Sequence, residues 1–197
     1  MRRERNFIGP AGMGGTVGLW AASSLIKSIQ YGTVTIGGNQ ATGTTTITSV
    51  NLANTFNLYG GHNSVSDPDG STSPAMLMSR IELTDATTVT ATRTTADPTY
   101  GRSMPFCVVE MMPGVLKSVQ RGSFTQAGLN SNTVTITSVN TARSFLCHLG
   151  NQTSYPSPSN NIYSSSITLT NATTVTGTVA GGGASNWLTG YTVVEFF

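Results

Sequence analysis

Charge is the scarcest property of this 197-residue chain. Asp, Glu, Lys and Arg together make up 9% of it, against roughly 25% in an ordinary soluble domain. The net charge of +2 is accounted for by Arg2, Arg3 and Arg5 against Glu4, which leaves seven basic and seven acidic residues to cancel. A basic patch able to grip nucleic acid is therefore excluded from the body of the chain. No apolar run approaches the ~18 residues of a membrane span. The start, Met1 to Arg5, is basic, but Gly9, Pro10, Gly12, Gly14, Gly15 and Gly18 interrupt the stretch after it, so no secretion signal is read there.

Catalytic and metal-binding vocabulary is equally thin. Histidine occurs only as His62 and His148, and cysteine only as Cys107 and Cys147. No HExxH, Cys-x-x-Cys or Gly-x-Ser-x-Gly is present, and the glycines at 12, 14, 15 and 18 miss the dinucleotide-binding spacing. Two free thiols packed as small apolar groups are the simplest reading of the cysteines, with a disulfide as the alternative. Asp67 and Asp69 before Gly70 look like the opening of a calcium loop without its later ligands, which makes them a turn. No cofactor, no metal and no enzymatic activity are expected.

The chain is rich instead in β-branched and polar residues, and it contains an internal repeat. Ile26-Lys27-Ser28-Ile29-Gln30-Tyr31-Gly32-Thr33 returns as Leu116-Lys117-Ser118-Val119-Gln120-Arg121-Gly122-Ser123. Thr46 to Asn51 returns as Thr135 to Asn140, Ile81 to Thr90 as Ile167 to Thr176, and Val108-Val109-Glu110 as Val193-Val194-Glu195. The offsets drift from 90 through 89 and 86 to 85. Four blocks in one order, with a slow drift, mark a tandem duplication. Most of the drift falls between Gly60 and Met78, where copy one carries three extra residues in a turn-rich stretch.

The alternation in Thr133-Val134-Thr135-Ile136-Thr137 predicts a half-buried strand. Its slip at Ser138-Val139, repeated at Ser49-Val50, predicts a β-bulge there. Ser166 to Thr176 reads as a hairpin turning at Asn171-Ala172. Asp85 stands where copy two has Asn171, so that position is read as an Asx turn and not as a glycan acceptor. Five or six short strands per copy and no helical periodicity predict an all-β protein: two tandem copies of a small antiparallel β-sandwich or barrel, with an extended N-terminal arm. The expected boundaries are 1–25 for the arm, 26–112 for copy one and 113–197 for copy two. A domain of about 85 residues buries a modest core, which favours a homo-oligomer. So does a surface with little charge to keep copies apart.

The arm combines Arg2, Arg3 and Arg5 with Phe7 and Trp20, which could plug apolar pockets on a partner. A start that orders only near Trp20 is the plainer alternative. Lys27 with Glu110 and Lys117 with Glu195 survive in both copies despite the scarcity of charge. They predict a Lys–Glu pair between the first and last strand of each copy, structural in role and modest in energy. His62, Asp67 and Asp69 in one loop, and Tyr155 and Tyr163 in its counterpart, are the candidate loop contacts.

Taken together, the phrase Lys117 to Gly122, the strand Thr135 to Val139, the run Leu169 to Thr176 and the ending Val193-Val194-Glu195-Phe196 resemble small β-sandwich virion proteins of tailed bacteriophages. The resemblance covers residues 26–197. It implies a virion location, with capsid, neck or tail proteins as partners and no membrane. A capsid decoration subunit is the first expectation. A neck, tail or fibre component whose loops meet a host glycan or receptor is the second. A bacterial surface adhesin module is the third.

Overall fold

The computed structural model describes residues 25–64, 73–127, 131–154, 165–179 and 186–197. These residues are almost entirely β. The first repeat holds β1 (Ile26–Ile36), β2 (Thr42–Thr46), β3 (Thr55–Tyr59), β4 (Asn63–Ser64), β5 (Ser79–Asp85), β6 (Thr88–Arg93) and β7 (Arg102–Met111). A single helical turn, α1 (Pro74–Leu77), precedes β5. The second repeat holds β8 (Leu116–Ala127), β9 (Ser131–Thr135), β10 (Ser144–Thr153), β11 (Ser165–Asn171), β12 (Thr174–Val179) and β13 (Asn186–Phe196).

Pairing is antiparallel throughout and recurs between the repeats. β7 lies between β1 and β3, and β6 lies between β2 and β5. In the same way β13 lies between β8 and β10, and β12 between β9 and β11. Alternation explains which faces meet. Val34, Ile36, Met104, Phe106 and Val108 point from one sheet of the first repeat at Ile81, Leu83, Val89 and Ala91 from the other. Phe124, Tyr191 and Val193 meet Val175, with Val134, Ile167 and Leu169 beside them, in the second.

Two sequence expectations need correction. The slip at Ser49 and Ser138 is not a bulge, because β2 and β9 end at Thr46 and Thr135 in unbroken register with β6 and β12. Beyond that point the chain bonds to the turn of the neighbouring hairpin, through the N–H groups of Ile47 and Val50 or of Ile136 and Val139, and a glutamine from another strand holds the residue between them. Gln30 Nε2 donates to the Thr48 carbonyl at 2.9 Å while its Oε1 accepts the Thr48 N–H at 2.7 Å. Gln120 holds Thr137 with the same two distances. Bulges do occur, but at Lys27, between Ile26 and Ser28, and at the matching step beside Lys117. Nor are all strands short: β1, β8 and β13 run to 11, 12 and 11 residues.

The repeats are joined by more than their linker. Arg80 of β5 pairs with Gly150 of β10, which turns the second sheet of the first repeat and the first sheet of the second into one six-stranded sheet. One apolar core also crosses the join. Phe56, Val109 and Met111 pack with Leu116, Cys147, Leu149 and Val194, and the Phe56 and Phe145 rings meet edge to face at 5.2 Å. Each repeat's modest interior is thereby extended by a shared one.

Candidate functional site

The bulge in β1 turns Lys27 toward the last strand of its repeat, where Glu110 on β7 is 2% exposed. Lys27 Nζ donates to Glu110 Oε1 at 2.9 Å, the Asn51 N–H donates to the same oxygen at 2.9 Å, and Ser28 Oγ lies 3.4 Å from Oε2. In the second repeat Lys117, Asn140 and Ser118 surround Glu195 at 2.9, 2.9 and 3.2 Å. Asn51 and Asn140 each cap a single 3-10 turn with their side chains, so one carboxylate ties the first strand, the last strand and the β2–β3 or β9–β10 connection together. Burial works to raise the Glu110 pKa, but the Asn51 N–H and Lys27 outweigh it and the carboxyl is held low. Glu195 is held low chiefly by the Asn140 N–H, then by Lys117. The lysines are half exposed while the carboxylates are buried, so the carboxylate and its N–H donor, more than the ion pair, form the joint.

The two histidines stand in different surroundings. His62 is exposed, with Nδ1 2.9 Å from the Tyr59 hydroxyl, and partial burial followed by the charge of Arg102 lowers its pKa. Burial pushes the Tyr59 hydroxyl up to about 12. His148 accepts the Gly150 N–H on Nδ1 at 3.1 Å, which leaves Nε2–H to face Ser165 Oγ at 3.2 Å. Burial lowers its pKa, against a smaller opposing contribution from Ser165. Ser165 Oγ in turn lies 2.8 Å from Thr189 Oγ1. This is a partly buried polar network that fixes one tautomer. Among the described residues no three of His, Cys, Asp and Glu gather where a metal ion could be held.

Arg121 sits at the seam. Its Nη2 donates to the Leu52 carbonyl at 2.8 Å and also to the Thr55 carbonyl, both in the first repeat. Beside it a cavity of about 260 Å³ is lined by Arg80, Glu82 and Leu83 from β5 and by Leu149, Gly190 and Tyr191 from the second repeat. Arg80 is engaged there by Glu82 at 2.5 Å and by Gln152 at 3.1 Å.

The equivalent of Arg121 in the first repeat is Tyr31, and it is 80% exposed. Tyr31 stands on the outer face of β1, across from Cys107 on β7 and beside Leu58 on β3. With Tyr59, Gly60, Pro105 and Phe106 they line an apolar groove of about 220 Å³. Leu58 is 40% and Ile29 44% exposed. This row is a built surface feature that the fold leaves open, and none of the residues lining it is charged.

The surface around it is poorer in charge than the composition suggests. Of the 12 charged side chains among the described residues, Arg93, Asp97, Arg102, Glu110 and Glu195 are buried. Arg93 donates to the carbonyls of Gly37, Gln40, Met76 and Tyr100, which makes it an organiser of three loops. Arg102 lies 3.8 Å from Asp97. Sequence reasoning missed both arginines, whose counterparts in the second repeat are Val179 and Trp187. It had a signal for Gln30 and Gln120, which stand in both copies of the first block.

Of the candidate contacts read from sequence, Arg2, Arg3, Arg5, Phe7, Trp20, Asp67, Asp69, Tyr155 and Tyr163 lie outside the described residues. Cys107 is half-buried and Cys147 buried, both as free thiols. Burial pushes the Cys147 thiol up to about 11. Comparison of the chain with protein-family models, with characterised proteins and with solved structures finds no match in any of the three.

Proposed function

We propose that this chain is a non-enzymatic structural subunit of a tailed-bacteriophage particle, an accessory protein carried on the particle surface, with capsid decoration as its first role. The observation that carries the reading is the charge-poor exterior. Five of the 12 described charges are buried, and an apolar row stays open on a protein otherwise clad in threonine and serine. Such a surface is poorly suited to a solitary soluble protein and well suited to a subunit held among neighbours. The phage context comes from the resemblance of the repeated strand phrases. The partners in this reading are other virion proteins and further copies of the chain, with no nucleic acid and no membrane.

Immuno-electron microscopy of intact particles, with antibody raised against the purified chain, tests the placement. Label spread over the head supports decoration. Label confined to the neck, tail or fibres moves the protein there, where the loops around His62 and Tyr155 would be the host-facing surface. Unlabelled particles would overturn the reading.

A further inference from the structure

The repeats present the same face in two conditions. In the second repeat, the outer face of β8–β13–β10 is covered by the first where the Leu52–Thr55 turn meets Arg121, and the edge of β10 is taken by β5 at Gly150. In the first repeat, the outer face of β1–β7–β3 is open where Tyr31 and Leu58 replace Arg121 and Cys147. A matched pair of glycines records the difference. Gly61 and Gly150 both have left-handed backbone, with φ of 95° and 86°. A Cβ on Gly150 would stand 2.5 Å from the Ser79 carbonyl oxygen, whereas one on Gly61 would meet nothing within 4 Å.

The elements that cover such a face also exist in duplicate. The counterparts of the Leu52–Thr55 turn and of β5 are the turn at Thr141–Ser144 and strand β11. Thr141, Ala142 and Arg143 are exposed. Among the described residues, strand β11 ends its three-stranded sheet with β12 as its partner, so its outer edge offers backbone groups for pairing. Apart from Arg143 at the rim, the described residues named on the two surfaces carry no charge to desolvate. The open face is also continuous with the existing seam, because Phe56 and Val109 at its near end are already covered by the second repeat.

We propose that the Tyr31–Leu58 face of β1–β7–β3 is a docking surface for the second repeat of another copy of this chain, entered by the Thr141–Ser144 turn and the β11 edge. The contact continues outward the relation that the first repeat already has to the second. It joins two different surfaces, so it is heterologous and builds rings or filaments head to tail instead of closed two-fold dimers. It goes beyond the virion reading and holds for the purified chain whether or not that reading survives.

The test is light scattering and sedimentation of the full chain over a concentration series. The expected result is a mass that rises through dimer to larger species. Leu58→Asp and, independently, Tyr31→Asp block the accepting face, and Ala142→Asp with Ser166→Asp blocks the entering elements; each variant alone stays monomeric while keeping the circular dichroism and melting of the parent. Mixing an accepting-face variant with the entering-element variant gives dimers and nothing larger, since one intact surface of each kind remains. A parent chain that stays monomeric at all concentrations overturns the proposal, and so does self-association that both kinds of variant leave unchanged. A mixture that remains monomeric, although the variants are folded and the parent associates, overturns the pairing of these two surfaces.

Discussion

Arg121 of the second repeat donates to the Leu52 carbonyl of the first at 2.8 Å. That bond and its companion to Thr55 fasten the seam together with the Arg80–Gln152 hydrogen bond and the β5–β10 pairing. Hydrogen bonds from a charged group in partly buried surroundings contribute about 1.5–3 kcal/mol. Arg121→Met is expected to lower the unfolding free energy by about that amount, read as a lower urea midpoint at unchanged slope. Tyr31→Arg, at the exposed counterpart, should shift the monomer by less than ~0.5 kcal/mol. Equal effects at the two positions would contradict the assignment of the seam.

The paired clasps separate a buried carboxylate from an exposed ion pair. Glu195→Ala removes the acceptor for the Asn140 N–H, Lys117 and Ser118 together, and is expected to cost about 1–3 kcal/mol. Lys117→Met removes only a half-exposed ammonium and should cost less than ~1 kcal/mol. The same order is expected for Glu110→Ala and Lys27→Met. Chemical denaturation of the four variants checks it, and a larger loss from the lysines would reverse the view that the carboxylates form the joint.

Stability should fall on acidification in two steps. His148 and His62 have folded pKa values below the ordinary histidine value, so the unfolded chain takes up protons first. The stability they contribute is complete above ~6.5 and declines as pH falls below it. Glu110 and Glu195 are also held low. Their contribution is complete above ~4.3 and is lost as pH falls through their folded values. Melting temperature against pH should show both declines. His148→Gln should shrink the upper one, and adding His62→Gln should abolish it, while the lower one remains. A melting temperature that rises between pH 7 and pH 5 would contradict the sign.

The matched glycines predict unequal costs for one substitution. Gly61→Ala places a side chain in left-handed backbone with open space around it, at about 1–2 kcal/mol. Gly150→Ala adds a collision with the Ser79 carbonyl and Arg80, for roughly 1–3 kcal/mol more. Thermal unfolding of the two variants measures the difference, and equal values would mean that β10 does not approach β5 as closely as described.

The internal sequence repeat made much of the architecture legible. A strand phrase that occurs twice has two independent chances to show its period, so the all-β class and the hairpin at Asn171 could be read directly. Asp85 and Asn171 each accept the N–H two residues on, at 2.7 and 2.8 Å, as the Asp/Asn alternation implied. Lys27, Glu110, Lys117 and Glu195 stood out because charge is rare. The misread bulge has a plain cause: a loss of alternation looks the same whether a strand bulges or ends, and the glutamine that holds the chain beyond the strand lies 17 or 18 residues away. The seam and the open face were illegible for the opposite reason. They depend on differences between the copies, Tyr31 against Arg121 and Leu58 against Cys147, and a single substitution carries no period. Arg93 and Arg102 were missed likewise, because their counterparts, Val179 and Trp187, are apolar.

As a proposed decoration subunit, this chain should be a standing component of the virion. Quantitative mass spectrometry of purified particles, as copy number relative to the major capsid protein, tests it most directly. For a decoration subunit the expected result is a fixed ratio that survives repeated purification and matches the symmetry of the head lattice. A small fixed number per particle would place the protein at the neck, tail or fibres. Its absence from particles assembled in cells that express it would contradict the virion claim and leave an assembling β-protein without a particle.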